Sequence, residues 1–114
     1  MGINRVGISG NLTRDPELRA STQGGSVLQF CVAVNDRRKV GDEWKDIPNF
    51  VDCIVFGKRA DALAPKLSKG TKVCVDGKLR YSSWEDKDGR KRSKLEVSVD
   101  ELEILTYYNE EVPF

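Results

Sequence analysis

Apolar and polar residues alternate along most of this chain, the two-residue period of half-buried strands. The first such run, Ile3–Ser9, is rich in β-branched residues and ends at Gly10, ahead of the turn-prone Thr13-Arg14-Asp15-Pro16. After Gly24-Gly25, Leu28, Phe30, Val32 and Val34 alternate with Val27, Gln29, Cys31 and Ala33. Apolar residues on both parities predict a central strand, buried on both sides for part of its length. Polar residues 35–46 read as a loop, and Ile47–Phe56 as a third strand. Beyond Gly57 the period changes. Ala60, Leu63, Ala64 and Leu67 lie at i, i+3, i+4 and i+7, one helical stripe that stops at Gly70. Pro65 lacks an amide hydrogen, so this helix is predicted to be short or bent. Thr71–Trp84 alternates again, Asp86-Lys87-Asp88-Gly89 reads as a hairpin turn, and Ser93–Leu105 as the last strand. The class is all-β with one short helix. Five strands with the helix between the third and fourth is the element order of a five-stranded Greek-key OB-fold barrel, an order that other small α+β domains share.

Strand parity also predicts what each face carries. In the third strand Val51, Cys53 and Val55 form an apolar row, while Phe50, Asp52, Ile54 and Phe56 form the opposite one. In the fourth, Val73, Val75 and Leu79 point inward; Lys72, Cys74, Asp76, Lys78, Arg80 and, if no bulge intervenes, Trp84 point outward. Exposed rings among cations suit a single nucleic-acid strand, whose unstacked bases regain apolar contact on a flat ring while cations track the phosphates. Duplex DNA hides its base faces. The bland reading of Phe50 and Phe56 is burial, for instance at a subunit interface. Two further basic clusters, Arg37-Arg38-Lys39 and Arg90-Lys91-Arg92, fall in the predicted loop and after the hairpin turn.

Composition narrows the options. With 114 residues, 39% hydrophobic and 32% charged, the chain supports one core. It contains no histidine, which removes the commonest general base and metal ligand. Cys31, Cys53 and Cys74 each lie in a strand-like run without a CxxC pair, so three buried free thiols are expected, with no zinc site and no cofactor. An enzyme reading would have to gather Asp15, Asp52 and Asp76 around a metal, yet no ligand spacing recurs. No catalytic residue is assigned. Nothing N-terminal resembles a targeting segment and no apolar run nears the roughly 20 residues of a membrane span, which points to a cytoplasmic protein. All 19 Lys and Arg residues fall in residues 1–94. Glu96, Asp100, Glu101, Glu103, Glu110 and Glu111 leave residues 95–114 purely acidic. A basic body with an acidic end suggests a polyanion surface plus a separately used tail.

The sequence resembles the bacterial single-stranded DNA-binding protein (SSB) family. The resemblance rests on Asn4-Arg5-Val6 with Gly10-Asn11-Leu12-Thr13-Arg14-Asp15-Pro16-Glu17-Leu18-Arg19, then Val55-Phe56-Gly57-Lys58, Leu67-Ser68-Lys69-Gly70 and Val75-Asp76-Gly77-Lys78-Leu79-Arg80, in family order across residues 3–105. It implies an OB-fold at 1–105 that assembles as a homotetramer and coats single-stranded DNA in replication, recombination and repair. Trp84 and Phe56 match the family's stacking positions, and Phe50 sits where many members place tryptophan. A further family tryptophan position, after the second strand, is taken by Arg38 or its neighbour, so a cation, or Trp44 from further along, stands in for that ring. With these rings go Lys58, Lys78, Arg80, Arg90, Arg92 and the Arg37–Lys39 cluster as the expected DNA contacts. At 106–114, Glu110-Glu111-Val112-Pro113-Phe114 is similar to the family's acidic tip, which docks on genome-maintenance enzymes. Only Thr106–Asn109 would separate it from the barrel, a reach of about four residues at 3.3–3.6 Å each. A second member of this class, a primosome-accessory or mobile-element relative devoted to recruitment, fits the same pattern.

Overall fold

The computed structural model describes residues 2–105. Its strands are β1 (Val6–Leu12), β2 (Glu17–Ala20), β3 (Ser26–Val40), β4 (Glu43–Phe56), β5 (Lys72–Glu85) and β6 (Lys91–Ile104). Helix α1 (Lys58–Leu63) and a 3-10 turn (Ala64–Lys66) lie between β4 and β5. The sheet order is β1-β5-β6-β4-β3-β2, and β1 also pairs with β3. That second pairing closes β1, β3, β4, β5 and β6 into an OB-fold barrel, with β2 added at the edge of β3. Strands β4 and β6 meet in parallel, and every other pair is antiparallel.

Closure depends on two close approaches. At Gly10, where β1 passes from β5 to β3, an added Cβ would stand 2.0 Å from the Ala33 carbonyl oxygen, so only hydrogen fits. At Gly77 a Cβ would stand 2.2 Å from the Ser98 carbonyl. There the β5–β6 register shifts: Asp76 opposes Glu101, Gly77 opposes Val99, and Asp100 is the extra residue of a β-bulge. The bulge sits on β6, so the alternation of β5 runs unbroken from Lys72 to Trp84.

The core is built from the inward rows: Leu28, Phe30 and Val32 of β3, Cys53 and Val55 of β4, Val73 and Val75 of β5, and Val97 and Val99 of β6. Leu12, Ala60 and Leu67 complete it. Leu63 and Ala64 pack partly buried against this cluster. Pro65 lies in the 3-10 turn that replaces a second α-helical turn, where its missing amide costs no α-helical bond.

Several sequence expectations are corrected. Residues 35–46 are not a loop. Strands β3 and β4 pair continuously from Val27↔Phe56 to Val40↔Glu43, closed by Gly41-Asp42 with Gly41 at φ 66°. Positive φ at the first turn residue is the II′ hairpin geometry, whose twist matches that of the strands. Cross-strand hydrogen bonds sustain the ladder although its side chains are polar. The first strand runs on to Leu12, and Glu17–Ala20 is a further short strand whose residues are all exposed. Leu79 is 48% exposed rather than inward: it still opposes the core residue Val97 of β6, but the pairing of β1 with β5 ends two residues earlier, at Gly77. Cys74 is exposed, on the outer row of β5, while Cys31 and Cys53 are buried free thiols. Ile54 is buried although it lies on the outer row. Among the described residues no helix is long and apolar enough to cross a membrane.

Candidate nucleic-acid interface

Directly opposed residues of a ladder project to the same side, so the pairings assemble one continuous outer face. On β5 and β6 it carries Lys78, Arg80, Ser82 and Trp84 opposite Ser98, Glu96, Lys94 and Arg92. On β4 it carries Phe56, Ile54, Asp52 and Phe50, opposite Val27, Gln29, Cys31 and Ala33 of β3. The parallel pairing Ile54↔Ser98 joins the two halves. Arg80 bridges them physically, with its guanidinium 4.9 Å from the centre of the Phe56 ring, a cation–π distance.

The rings on this face are open to solvent: Phe50 is 67% exposed, Trp84 46% and Phe56 45%. Beside Trp84 a cleft of about 460 Å³ is lined by Ile54, Arg80, Trp84, Arg19, Lys94 and Glu96. Lys94 Nζ lies 3.8 Å from Asp52 and 3.7 Å from Glu96, and Arg80 lies 4.0 Å from Glu96. These carboxylates hold the cations over the face without neutralising it, since Arg19 and Lys78 add further positive charge.

The hairpin β3–β4 continues the same face beyond the barrel. Register places Arg37, Lys39 and Trp44 on the side of Phe50, and Arg38 on the opposite side with Lys45. The Arg37–Lys39 cluster is therefore split by strand geometry, and Trp44, 58% exposed, is the residue aligned with the exposed rings. Strand parity takes Arg38 off this side and keeps Trp44, together with Arg38's neighbours Arg37 and Lys39, on it. Lys58 opens α1 and lies off the sheet, and Arg90 belongs to the β5–β6 turn. Arg92 sits opposite Trp84 but donates from Nε to Asp86 at 2.9 Å. Glu110, Glu111, Val112, Pro113 and Phe114 lie outside the described residues.

Arg19, Lys94 and Glu96 are cleft residues that sequence reasoning passed over. Lys94 could have been found, since it shares parity with Arg92 in the last strand. Arg19 depended on recognising β2. The Cys53 thiol, on the inward row, contributes no chemistry: burial pushes it up to about 12, which keeps it protonated and inert.

A closed OB barrel that offers rings and cations on one sheet face belongs to the class of modules built to lay a nucleic-acid strand across that sheet. The comparison with known proteins makes the assignment specific. The Single-strand binding protein family matches residues 3–105, and the chain belongs to that family. A single-stranded DNA-binding protein of Borreliella burgdorferi is 47% identical over 105 residues, covering 91% of this chain and 70% of the relative. One from Treponema pallidum is 42% identical over 103 residues, covering 90% and 58%. One from Mycobacterium tuberculosis is 41% identical over 105 residues, covering 89% and 63%. The chain thus spans about three-fifths to seven-tenths of these relatives' length.

Proposed function

We propose that this chain binds and coats single-stranded DNA with little sequence preference, as a non-enzymatic protein of replication, recombination and repair. The observation that carries the reading is the alignment of Phe50, Phe56 and Trp84, all exposed, on one face with Lys78, Arg80 and Lys94. Bases stack on the rings, each worth about 1–3 kcal/mol, and the cations follow the phosphates. Trp44, Arg37 and Lys39 extend the path along the hairpin. Arg38, Lys58, Arg90 and Arg92 act as long-range field rather than as direct contacts.

Titration with poly-dT, followed by tryptophan fluorescence at several salt concentrations, tests this reading. Strong quenching is expected, with the logarithm of affinity falling by about 0.7 per phosphate neutralised for each decade of salt. Equal affinity for duplex DNA, or no quenching, would defeat it.

Two further parts of the proposal concern partners. Leu79, Tyr81 and Leu95 are exposed on the reverse side of the β5–β6 hairpin, with Tyr81 paired to Leu95. This apolar patch suits self-association, and a homotetramer is the expected assembly. A sedimentation mass of one 12.8 kDa chain would remove that part. Glu110–Phe114 serves as a docking tip for genome-maintenance enzymes in the bacterial cytoplasm and nucleoid. Its support is the acid-rich Pro-Phe pattern, in which the Phe114 ring suits an apolar pocket and the Glu110 and Glu111 side chains suit its basic rim. Deleting these residues should abolish recruitment and spare DNA binding.

A further inference from the structure

Glu96 is an unusual residue to find beneath a polyanion-binding face. It stands directly opposite Arg80 in the β5–β6 ladder, and its side chain is only 3% exposed. Arg80 lies 4.0 Å from its Oε2 and Lys94 3.7 Å from its Oε1, and Oε2 accepts no hydrogen bond among the described residues. These are charge contacts rather than hydrogen bonds. A carboxylate shut off from water nevertheless attracts a cation more strongly than a solvated one does. Burying it is costly, and by its charge alone it repels phosphates.

Arg80 supplies a reason for it. The guanidinium lies 4.9 Å from the centre of the Phe56 ring, and the side chain is 44% exposed. A long side chain left free on an open sheet face samples many rotamers, and binding must order it. Anchored by both Glu96 and the Phe56 ring, Arg80 is instead fixed across the seam where β6 meets β4. Lys94 depends less on Glu96, because Asp52 pairs with it as well, at 3.8 Å. Among the described residues Glu96 is the only carboxylate paired with Arg80.

We propose that Glu96 is a positioning residue for strand binding: it holds Arg80 against Phe56 in advance of the ligand, and so raises affinity for a polyanion although it is itself an anion. The proposal rests on the single-strand binding reading. It predicts an effect opposite in sign to that of net charge, under which removing a carboxylate beneath this face tightens binding.

The test follows, by anisotropy, the binding of an all-thymidine oligonucleotide of about eight nucleotides, within the site size of one OB-fold. Glu96→Gln keeps the shape of the side chain and removes its charge. It should bind roughly fivefold more weakly than wild type, the cost of ordering one long side chain on binding. In an Arg80→Gln background the same change should cost less than about twofold, because the side chain it acts on is gone. Arg80→Lys keeps the charge but loses the planar group that spans ring and carboxylate, and should lose about as much affinity as Arg80→Gln. Unchanged or tighter binding by Glu96→Gln overturns the inference. An equal loss in both backgrounds does so too, since it marks a general disturbance of the fold, and so does wild-type affinity in Arg80→Lys. That last variant alters a half-exposed side chain and leaves Glu96 in place, so it decides the matter if Glu96→Gln fails to fold. No binding by the wild type would defeat the single-strand reading itself.

Discussion

Two hairpins leave the same barrel, and they are stabilised in different ways. In the β5–β6 hairpin, Trp84 stands at the edge of a cleft whose floor holds buried Ile54 and Glu96. Its turn is braced by Asp86, which accepts from the amides of Asp88 and Arg90 and from Arg92 Nε, each at 2.9 Å. In the β3–β4 hairpin every residue from Asn35 to Asp46 is exposed. Its turn rests on Gly41, and its cross-strand charges meet only as a 3.7 Å surface pair, Arg37–Asp46. Such pairs contribute little. One hairpin is a fixed half of the proposed site. The other presents rings and cations that gain their contacts only when something lies across them, the low-stability end from which binding segments are drawn.

The largest expected effect tests whether the β3–β4 hairpin truly divides into a core half and a free half. Phe30, 1% exposed, is the largest wholly buried side chain, and Phe30→Ala should destabilise by about 3–5 kcal/mol through the cavity it leaves. On the same strand ten residues later, Val40→Ala should change stability by no more than about 0.5 kcal/mol. Urea unfolding of both variants decides the matter. A comparable loss for Val40→Ala would mean that the arm is packed against something, a second chain being the first suspect.

Binding should separate the two hairpins less sharply. Trp84→Ala is expected to cost about 1–3 kcal/mol of affinity for poly-dT with unfolding midpoints unchanged, since its ring is exposed and already positioned. Trp44→Ala should cost less, about 1 kcal/mol or under, because ordering the arm consumes part of what stacking returns. Anisotropy titrations would check both. A larger loss at Trp44 than at Trp84 would reverse the comparison and make the free arm the primary grip.

Much of the braced half was legible in the sequence, because alternation along β4 and β5 survives intact. Phe50 and Phe56 against Val51, Cys53 and Val55, and Trp84 with Lys78 and Arg80, follow from parity alone, and the bulge that could have broken it fell on β6 at Asp100. The free half was not legible as strand. Residues 35–46 bury nothing, so hydrophobic period carries no signal there, and the only mark was Gly41-Asp42 as a two-residue turn. Strand β2 was hidden for the same reason. Glu96 was hidden for another. On the polar row of a strand a carboxylate reads as solvated, and only the approach of β4 to β6 buries it.

The smallest effect concerns the brace itself. The amide of Arg90 and the guanidinium of Arg92, with the Asp88 amide, hold the Asp86 carboxyl below its ordinary value of 3.8. A carboxyl whose folded value is depressed adds stability that is complete above the unfolded value, and loses it as pH falls through the folded one. The wild type should therefore shed this contribution only below about pH 4, and Asp86→Asn should lack it at every pH. The gap between the two unfolding curves should be small at neutral pH and close as acid is added. Because Asp86 lies in a solvated turn, salt should narrow the part that comes from Arg92, and leave the part that comes from the backbone amides. A gap that stayed constant from pH 7 to pH 2 would show that Asp86 acts through turn shape rather than charge. The β5–β6 turn would then owe its order to backbone geometry, as the Gly41 turn does.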